Sequence, residues 1–376
     1  MTCQDCGDNN YRGRFEARNL FVSLSSDSSK QKQYLFSMST YYSLAELIDI
    51  EGDDITYYAW DMTKFFGLTR PIFSYEYSLF EMGTNTYITA FIESAGFSWN
   101  EEKKENQEYS NTVTLKKFTL KNFGITDYKE VSEITTISNT YDGRVVSAFP
   151  LKDSGLIVLI FVNKNTEDKK GDYKAYFYDS SNTKKGECTI YDGASNLWVG
   201  FGLFIKGIWV KGDFAALALF SDGDNKRSFV FKFLKYNGNY NFDYYYEIYI
   251  NSDSSYPEFR QDVNANGLYR LSDDRVILFT TQDCYSVDYG CLNMYIFDFY
   301  NNYEKLRYRR YLFHHPEKRF AKEMEGSIYN GYTVFSATLS DSSEDDTFAI
   351  IMIFGFANGT DHTIDISPYL MDTGYY

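Results

Sequence analysis

The apolar residues of this chain recur with a period of two or in short continuous runs, and tight clusters of Gly, Asn, Asp and Ser separate them. That pattern predicts strands joined by hairpin turns rather than helices. The clearest stretch runs Gly202 to Val210, turns at Lys211-Gly212-Asp213 into Phe214 to Phe220, loops over Ser221 to Lys226, and continues through Arg227 to Lys235 and Asp243 to Ile250. The same order returns in Gly267 to Leu271, the turn Ser272-Asp273-Asp274, Arg275 to Thr280, Asn293 to Phe299 and Lys305 to Phe313. A further copy has Gly326 to Tyr329, the turn Asn330-Gly331, Tyr332 to Leu339, Thr347 to Phe356 and Thr363 to Ile366. Asn-Gly between alternating runs is a strong hairpin signal.

Three looser copies precede these. The first has Leu20 to Leu24, Gln33 to Met38, Leu47 to Ile50 and Ile55 to Trp60; the second has Ile72 to Phe80, Tyr87 to Ile92 and Thr112 to Leu120. The third is read as Val131 to Ile137, the turn Tyr141-Asp142-Gly143, Arg144 to Phe149, Gly155 to Val162 and Tyr173 to Tyr178. Tyr34, Tyr87, Val145, Phe214, Val276 and Thr333 are taken as equivalent positions. Repetition at this scale, with four strands per unit, is similar to the β-propeller superfold without matching a particular family. The expected fold is all-β, a propeller of about six four-stranded blades, with Glu93 to Glu130 or Asn237 to Asp262 able to hide a seventh. A pair of β-sandwiches is the alternative. Helical character is confined to Tyr42 to Ile48 and Pro316 to Met324, the latter opened by proline and carrying Glu317, Lys318, Lys322 and Glu323. Residues 1–13 are expected to be a tail and 14–376 the propeller.

Composition supports strands, with 36 Tyr and 32 Phe among 376 residues and only five prolines. The formal charge of −15 disfavours nucleic acid as a partner, because phosphate binding draws on clustered Lys and Arg. The one basic run, Lys305, Arg307, Arg309 and Arg310, alternates with Leu306, Tyr308 and Tyr311, as the solvent face of a strand does. The longest apolar run, Phe348 to Ala357, is half the length of a spanning helix, so no membrane span is expected.

Candidate chemistry is sparse. The histidines are His314, His315 and His362, the first two expected in a loop at one end of the propeller. No catalytic residues and no cofactor are assigned, and no hydrolase, metalloprotease or nucleotide-binding signature occurs. Asp262-Val263-Asn264-Ala265-Asn266-Gly267 matches the opening of a calcium loop, with Asp273 at the twelfth position to close it. Arg270 at the ninth position argues against it, and the plainer reading is an Asx-rich turn before a strand. Cys284 and Cys291 flank a loop short enough for a disulfide if the chain is exported. Cys3 and Cys6 form a CxxC without a second pair nearby, read as the end of an upstream cysteine-rich module, and Cys188 is read as a small core residue. Asn358-Gly359-Thr360 is the one N-glycosylation sequon.

Low proline with abundant Asn, Tyr, Lys, Asp and Phe resembles proteins of A/T-rich protist genomes. Together with the terminal CxxC it resembles an ectodomain of a ciliate-type cysteine-rich surface protein. The resemblance implies an extracellular or cell-surface, non-enzymatic module that binds a protein or a glycan. Two rivals stay open: a cytoplasmic propeller scaffold, and a propeller hydrolase or lyase with carboxylates around its channel.

Overall fold

The fold is known from a computed structural model. It describes residues 17–372 except 28–29, 40–43, 50–55, 68–77, 84, 94–96, 101–104, 109–110, 122–128, 141–146, 153, 166–169, 196–204, 224–225, 252–263, 284–289, 301–304, 315–318, 330–331, 341–346 and 356–368. Blade 1 is β1 (Ala17–Asp27), β2 (Lys30–Ser39), β3 (Leu44–Asp49) and β4 (Thr56–Asp61), followed by the short helix α1 (Met62–Phe66). Blade 2 is β5 (Ser78–Gly83), β6 (Thr86–Glu93), β9 (Asn111–Leu120) and β10 (Lys129–Thr140), with a small hairpin, β7 (Phe97–Asn100) and β8 (Glu105–Glu108), inserted after β6. Blade 3 is β11 (Ser147–Pro150), β12 (Leu156–Asn165), β13 (Lys170–Tyr178) and β14 (Lys184–Ser195). Blade 4 is β15 (Ile205–Lys211), β16 (Phe214–Gly223), β17 (Lys226–Tyr236) and β18 (Phe242–Asn251). Blade 5 is β19 (Asn264–Ser272), β20 (Arg275–Asp283), β21 (Gly290–Tyr300) and β22 (Lys305–His314). Blade 6 is β23 (Arg319–Tyr329), β24 (Tyr332–Ser340), β25 (Thr347–Gly355) and β26 (Tyr369–Asp372).

Every blade is an antiparallel meander, and the first strands touch in the order β5, β11, β15, β19, β23, β1, so the last blade adjoins the first. This is a six-bladed β-propeller. Blades 2 and 3 are additionally joined by one bridge, Thr140 to Val162, because β11 is short and leaves that part of β12 free for the outer strand of blade 2.

The continuous apolar runs follow from this architecture, because a blade is covered on both faces. In β12, Leu156, Val158 and Ile160 pack toward blade 2, while Ile157, Leu159 and Phe161 pack toward blade 4. In β16, Ala215, Leu217 and Leu219 face blade 3, and Ala216 and Ala218 face blade 5. Small residues belong on inner strands, where the sheets converge on the axis. Gly207 on β15 shows how close they come: a Cβ there would lie 2.7 Å from both Leu159 and Phe149. Further out, the widening gap is filled by rings, and Phe231 stacks on Phe297 at 3.8 Å while Phe233 stacks on Phe299 at 4.2 Å. Between blades 1 and 2 the filler is α1, whose Phe65 and Phe66 pack on Phe36 and Phe118. Lys116 Nζ donates to the Phe66 carbonyl at 3.3 Å and Lys129 Nζ to that of Phe65, so strands of blade 2 cap the helix C-terminus.

Four expectations need correction. The third unit was phased one strand early: Val131 to Ile137 lies in β10 and pairs with β9, so it closes blade 2. The true first strand of blade 3 spans only Ser147–Pro150, too short to stand out as a run, and the position equivalent to Tyr87 is on β12 rather than at Val145. Glu93 to Glu130 holds the β7–β8 hairpin and β9, not a seventh blade. Within Pro316 to Met324, residues from Arg319 onward are strand, and within Tyr42 to Ile48 those from Leu44 onward are strand. In the former, three residues between Phe320 and Met324 oppose a single residue of β24, and this bulge breaks the alternation and mimics helical spacing. The fourth strand of blade 6 is Tyr369–Asp372, whereas Thr363 to Ile366 lies outside the described residues.

Candidate interaction face

Each blade turns from its first to its second strand at the same end of the propeller, and at that end the turns repeat a device. In blades 2, 4 and 5 the N–H closing the third strand donates to a turn carbonyl, Leu120 to Asn85, Tyr236 to Asp213 and Phe299 to Asp274, each at 2.8 Å. Charged side chains then link one turn to the next. Lys152 of blade 3 pairs with Asp213 of blade 4, and Lys211 of blade 4 pairs with Asp273 of blade 5 at 3.3 Å. Arg270 also holds Asp273, at 3.0 Å. Beneath them Trp209 donates its indole N–H to the Pro150 carbonyl, and Lys206 lies 5.1 Å from the Tyr269 ring centre. The ion-paired charges are exposed, so each pair contributes at most about 1 kcal/mol, and their role is to align neighbouring blades.

Among the described turns, the most elaborate connects β17 to β18. The Asn237 carboxamide oxygen accepts from Asn239 N–H at 2.9 Å, its Nδ2 donates to Asp243 at 3.1 Å, and Asn237 N–H donates to the Asn241 carbonyl at 3.2 Å. Tyr240 N–H reaches the Tyr236 hydroxyl at 3.3 Å, and Phe242 N–H reaches the Asn241 side chain at 2.9 Å. Gly238 and Tyr240 both have positive φ, 82° and 54°, the latter sterically unfavourable for an aromatic residue. The turn is held in that shape partly by blade 3, where Gly186 lets it lie flush. A Cβ on Gly186 would stand 2.5 Å from the Tyr240 carbonyl oxygen. Directly after the turn, Tyr244 projects from β18 with 64 % of its surface exposed.

Beside this turn, Asp179 accepts backbone N–H groups of Ser181 and Thr183, both at 2.9 Å, and pairs with Lys185 at 2.9 Å. The Thr183 bond, then Lys185, holds its carboxyl below the usual carboxylate range. Glu187 lies between Lys184, at 2.5 Å, and Lys174, at 3.2 Å, and Lys184 is the main cause of its lowered pKa. Burial pushes the Cys188 thiol up, as expected of a packed thiol set against the core of blades 3 and 4. Two charged side chains are buried among the described residues, Asp172 and Lys232. Lys232 donates to the Ile190 carbonyl at 2.6 Å, pairs with Glu247 at 2.7 Å and lies 5.4 Å from the Tyr191 ring centre.

Glu46 is a different case. Ala45 and Leu47 face blade 2, so Glu46 between them faces the opposite side of its sheet, and burial pushes its carboxyl above 4.5. A raised acid pKa means the folded state favours the protonated form. The associated stability is therefore fully present below pH 4.5 and is lost as pH rises through the folded value. Glu46→Gln is accordingly expected to raise the melting temperature at pH 7 and to lose that advantage in scans below about pH 4.

Of the described residues singled out in the sequence, Asn264, Asn266, Cys291 and His314 lie toward the other end of the propeller. Asn264 and Asn266 lie on β19, and Asp273 lies in the turn at its far end, engaged by Arg270 and Lys211. A strand advances about 3.3 Å per residue, so the described part of the calcium set is strung along β19 rather than gathered. Asp262 is outside the described residues. Cys291 sits on β21 opposite Gln282 and His314, while Cys284, Cys3, Cys6, His315, His362 and Asn358 are outside the described residues. The basic run lies on β22, the outer strand of blade 5, with Arg307 opposite Asp298. Among the described residues no three His, Cys, Asp or Glu converge as a metal set, and no helix is long and apolar enough to cross a membrane. The sequence reading missed the lysine–aspartate links, although Lys152, Lys211, Asp213 and Asp273 all stand in first turns; only correct phasing of blade 3 aligns them.

No family model matches the chain, and no curated protein matches it. Among solved structures the chain is similar to an exo-1,5-α-L-arabinanase from a bovine ruminal metagenomic library, at 12% identity and a TM-score of 0.38, over 96% of this chain and 100% of the other.

Proposed function

We propose that this propeller is a non-enzymatic recognition module, displayed outside the cell or at its surface, that binds a protein or glycan partner. The observation that carries the reading is the identity of the exposed large apolar side chains among the described residues: all are tyrosines, Tyr58, Tyr244 and Tyr300. A tyrosine offers a rigid ring and a hydroxyl with little conformational entropy to lose, which suits it to contact surfaces. Tyr300 closes β21 and Tyr244 opens β18, so two of them lie at the turn end of adjoining blades.

The test is a printed array of glycans and cell-surface proteins probed with the labelled chain and with a Tyr244→Ser/Tyr300→Ser variant. The expected result is a discrete set of ligands whose signal falls at least about tenfold in the variant while its melting temperature is unchanged. Ligand-independent binding, or consumption of arrayed glycans, overturns the reading. Export carries its own expectation: in protein from the native source, peptide mass spectrometry finds Cys284 bonded to Cys291 and Asn358 glycosylated. Free thiols at both cysteines point instead to an intracellular scaffold.

A further inference from the structure

The β17–β18 corner of blade 4 offers an exposed phenol at Tyr244 and an exposed carboxamide at Asn239, while Asp243 lies on the opposite side of the strand and accepts from Asn237. We infer that this corner is a binding site for a neutral glycan, an inference that rests on the recognition reading above and names its ligand class. Charge is the first argument. The neighbouring ions already hold one another: Lys185 with Asp179, Lys184 and Lys174 with Glu187, Lys232 with Glu247, and Lys152 with Asp213. Outside these pairs stands Lys235, whose ammonium lies 5.9 Å from the Phe214 ring on the blade 5 side of the sheet, whereas Tyr244, two residues after Phe242, is on the blade 3 side. A phosphorylated or sulfated ligand beside Tyr244 would therefore have to break a pair to find a cation, and it would approach a chain of net charge −15. What the corner presents is an exposed aromatic side chain and a planar carboxamide, the complement of a sugar's C–H surface and hydroxyls.

Preorganisation is the second argument. Weak, hydroxyl-rich ligands gain affinity when the protein side needs no ordering on binding. Here the Asn237, Asn241 and Tyr236 side chains fix the turn's backbone, and the fit of Tyr240 over Gly186 anchors it to blade 3. The Asn239 and Tyr244 side chains therefore project from a braced backbone rather than a slack loop.

The test is saturation-transfer NMR on the intact chain with three neutral probes, cellotetraose, maltotetraose and chitotriose, and one charged probe, a heparin tetrasaccharide. At least one neutral probe is expected to give a saturable signal that weakens about tenfold in Tyr244→Ala and in Asn239→Ala, and is unchanged in Lys117→Ala on blade 2. No signal from any neutral probe, a signal from heparin alone, or neutral binding indifferent to Tyr244→Ala overturns the inference. The two readings separate when the NMR result is set beside the array. New reducing ends in the tube would overturn recognition itself. Loss of an arrayed protein ligand in Tyr244→Ala, without any sugar binding, would leave recognition standing and remove the glycan.

Discussion

Replacing Lys232 by methionine is expected to lower the unfolding free energy by about 3–5 kcal/mol, the loss typical of removing one partner from a buried ion pair. The ammonium is 8 % exposed at the residue level and touches three groups that belong to two blades: Glu247 on β18, and the Ile190 carbonyl and Tyr191 ring on β14. Methionine fills the space but leaves Glu247 without its cation in a partly buried site, and it strips the Ile190 carbonyl of its donor. Urea titration followed by tyrosine fluorescence measures the loss. The companion Lys232→Met/Glu247→Leu variant is expected to recover most of it, because a buried pair replaced by apolar residues of similar volume is often neutral in stability. A single variant within about 1 kcal/mol of wild type would mean that water reaches Glu247 and that blades 3 and 4 are joined by packing alone.

How far the sequence could be read depended on how much of each signal is local. Blades 4 and 5 were legible because β15–β16 and β19–β20 are joined by turns with unambiguous chemistry, Lys211-Gly212-Asp213 and Ser272-Asp273-Asp274, between runs buried on both faces. Blade 3 was misphased because β11 has only four residues, held in place by pairing to Leu156–Leu159 and by its neighbours rather than by its own pattern. The bulge in β23 failed for a related reason: its strand character comes from β24, not from alternation within Arg319–Tyr329. The candidate face was less legible still. Asn239 and Tyr244 look like any turn and any strand residue until Gly186, more than fifty positions earlier, is seen to seat Tyr240. Lys152 likewise has no visible partner in its own blade, since Asp213 belongs to the next.

The second large effect is expected at the junction of blades 4 and 5. Phe231→Ala should cost about 3–5 kcal/mol, because the ring is fully buried and its removal leaves a cavity between two sheets that cannot close independently. Phe231 lies parallel to Phe297 within 5°, at 3.8 Å, and its strand neighbour Phe233 stacks on Phe214, Phe299 and Tyr246. Collapse into the vacancy would require blade 5 to approach blade 4. The inner strands are already close there through Ala216 and Ala218, and the Lys211–Asp273 link fixes the spacing of the turns. Phe231→Leu should lose clearly less, since it keeps most of the volume and forfeits mainly the stacking, worth about 0.5–1.5 kcal/mol. Denaturant titration ranks the two variants, and amide hydrogen exchange locates the damage. Faster exchange confined to β17, β18, β20 and β21 means that junctions open individually and the ring tolerates one loosened seam. Faster exchange spread over all six blades means that the ring opens as a whole, and then each junction supports the shape of every face, including the β17–β18 corner.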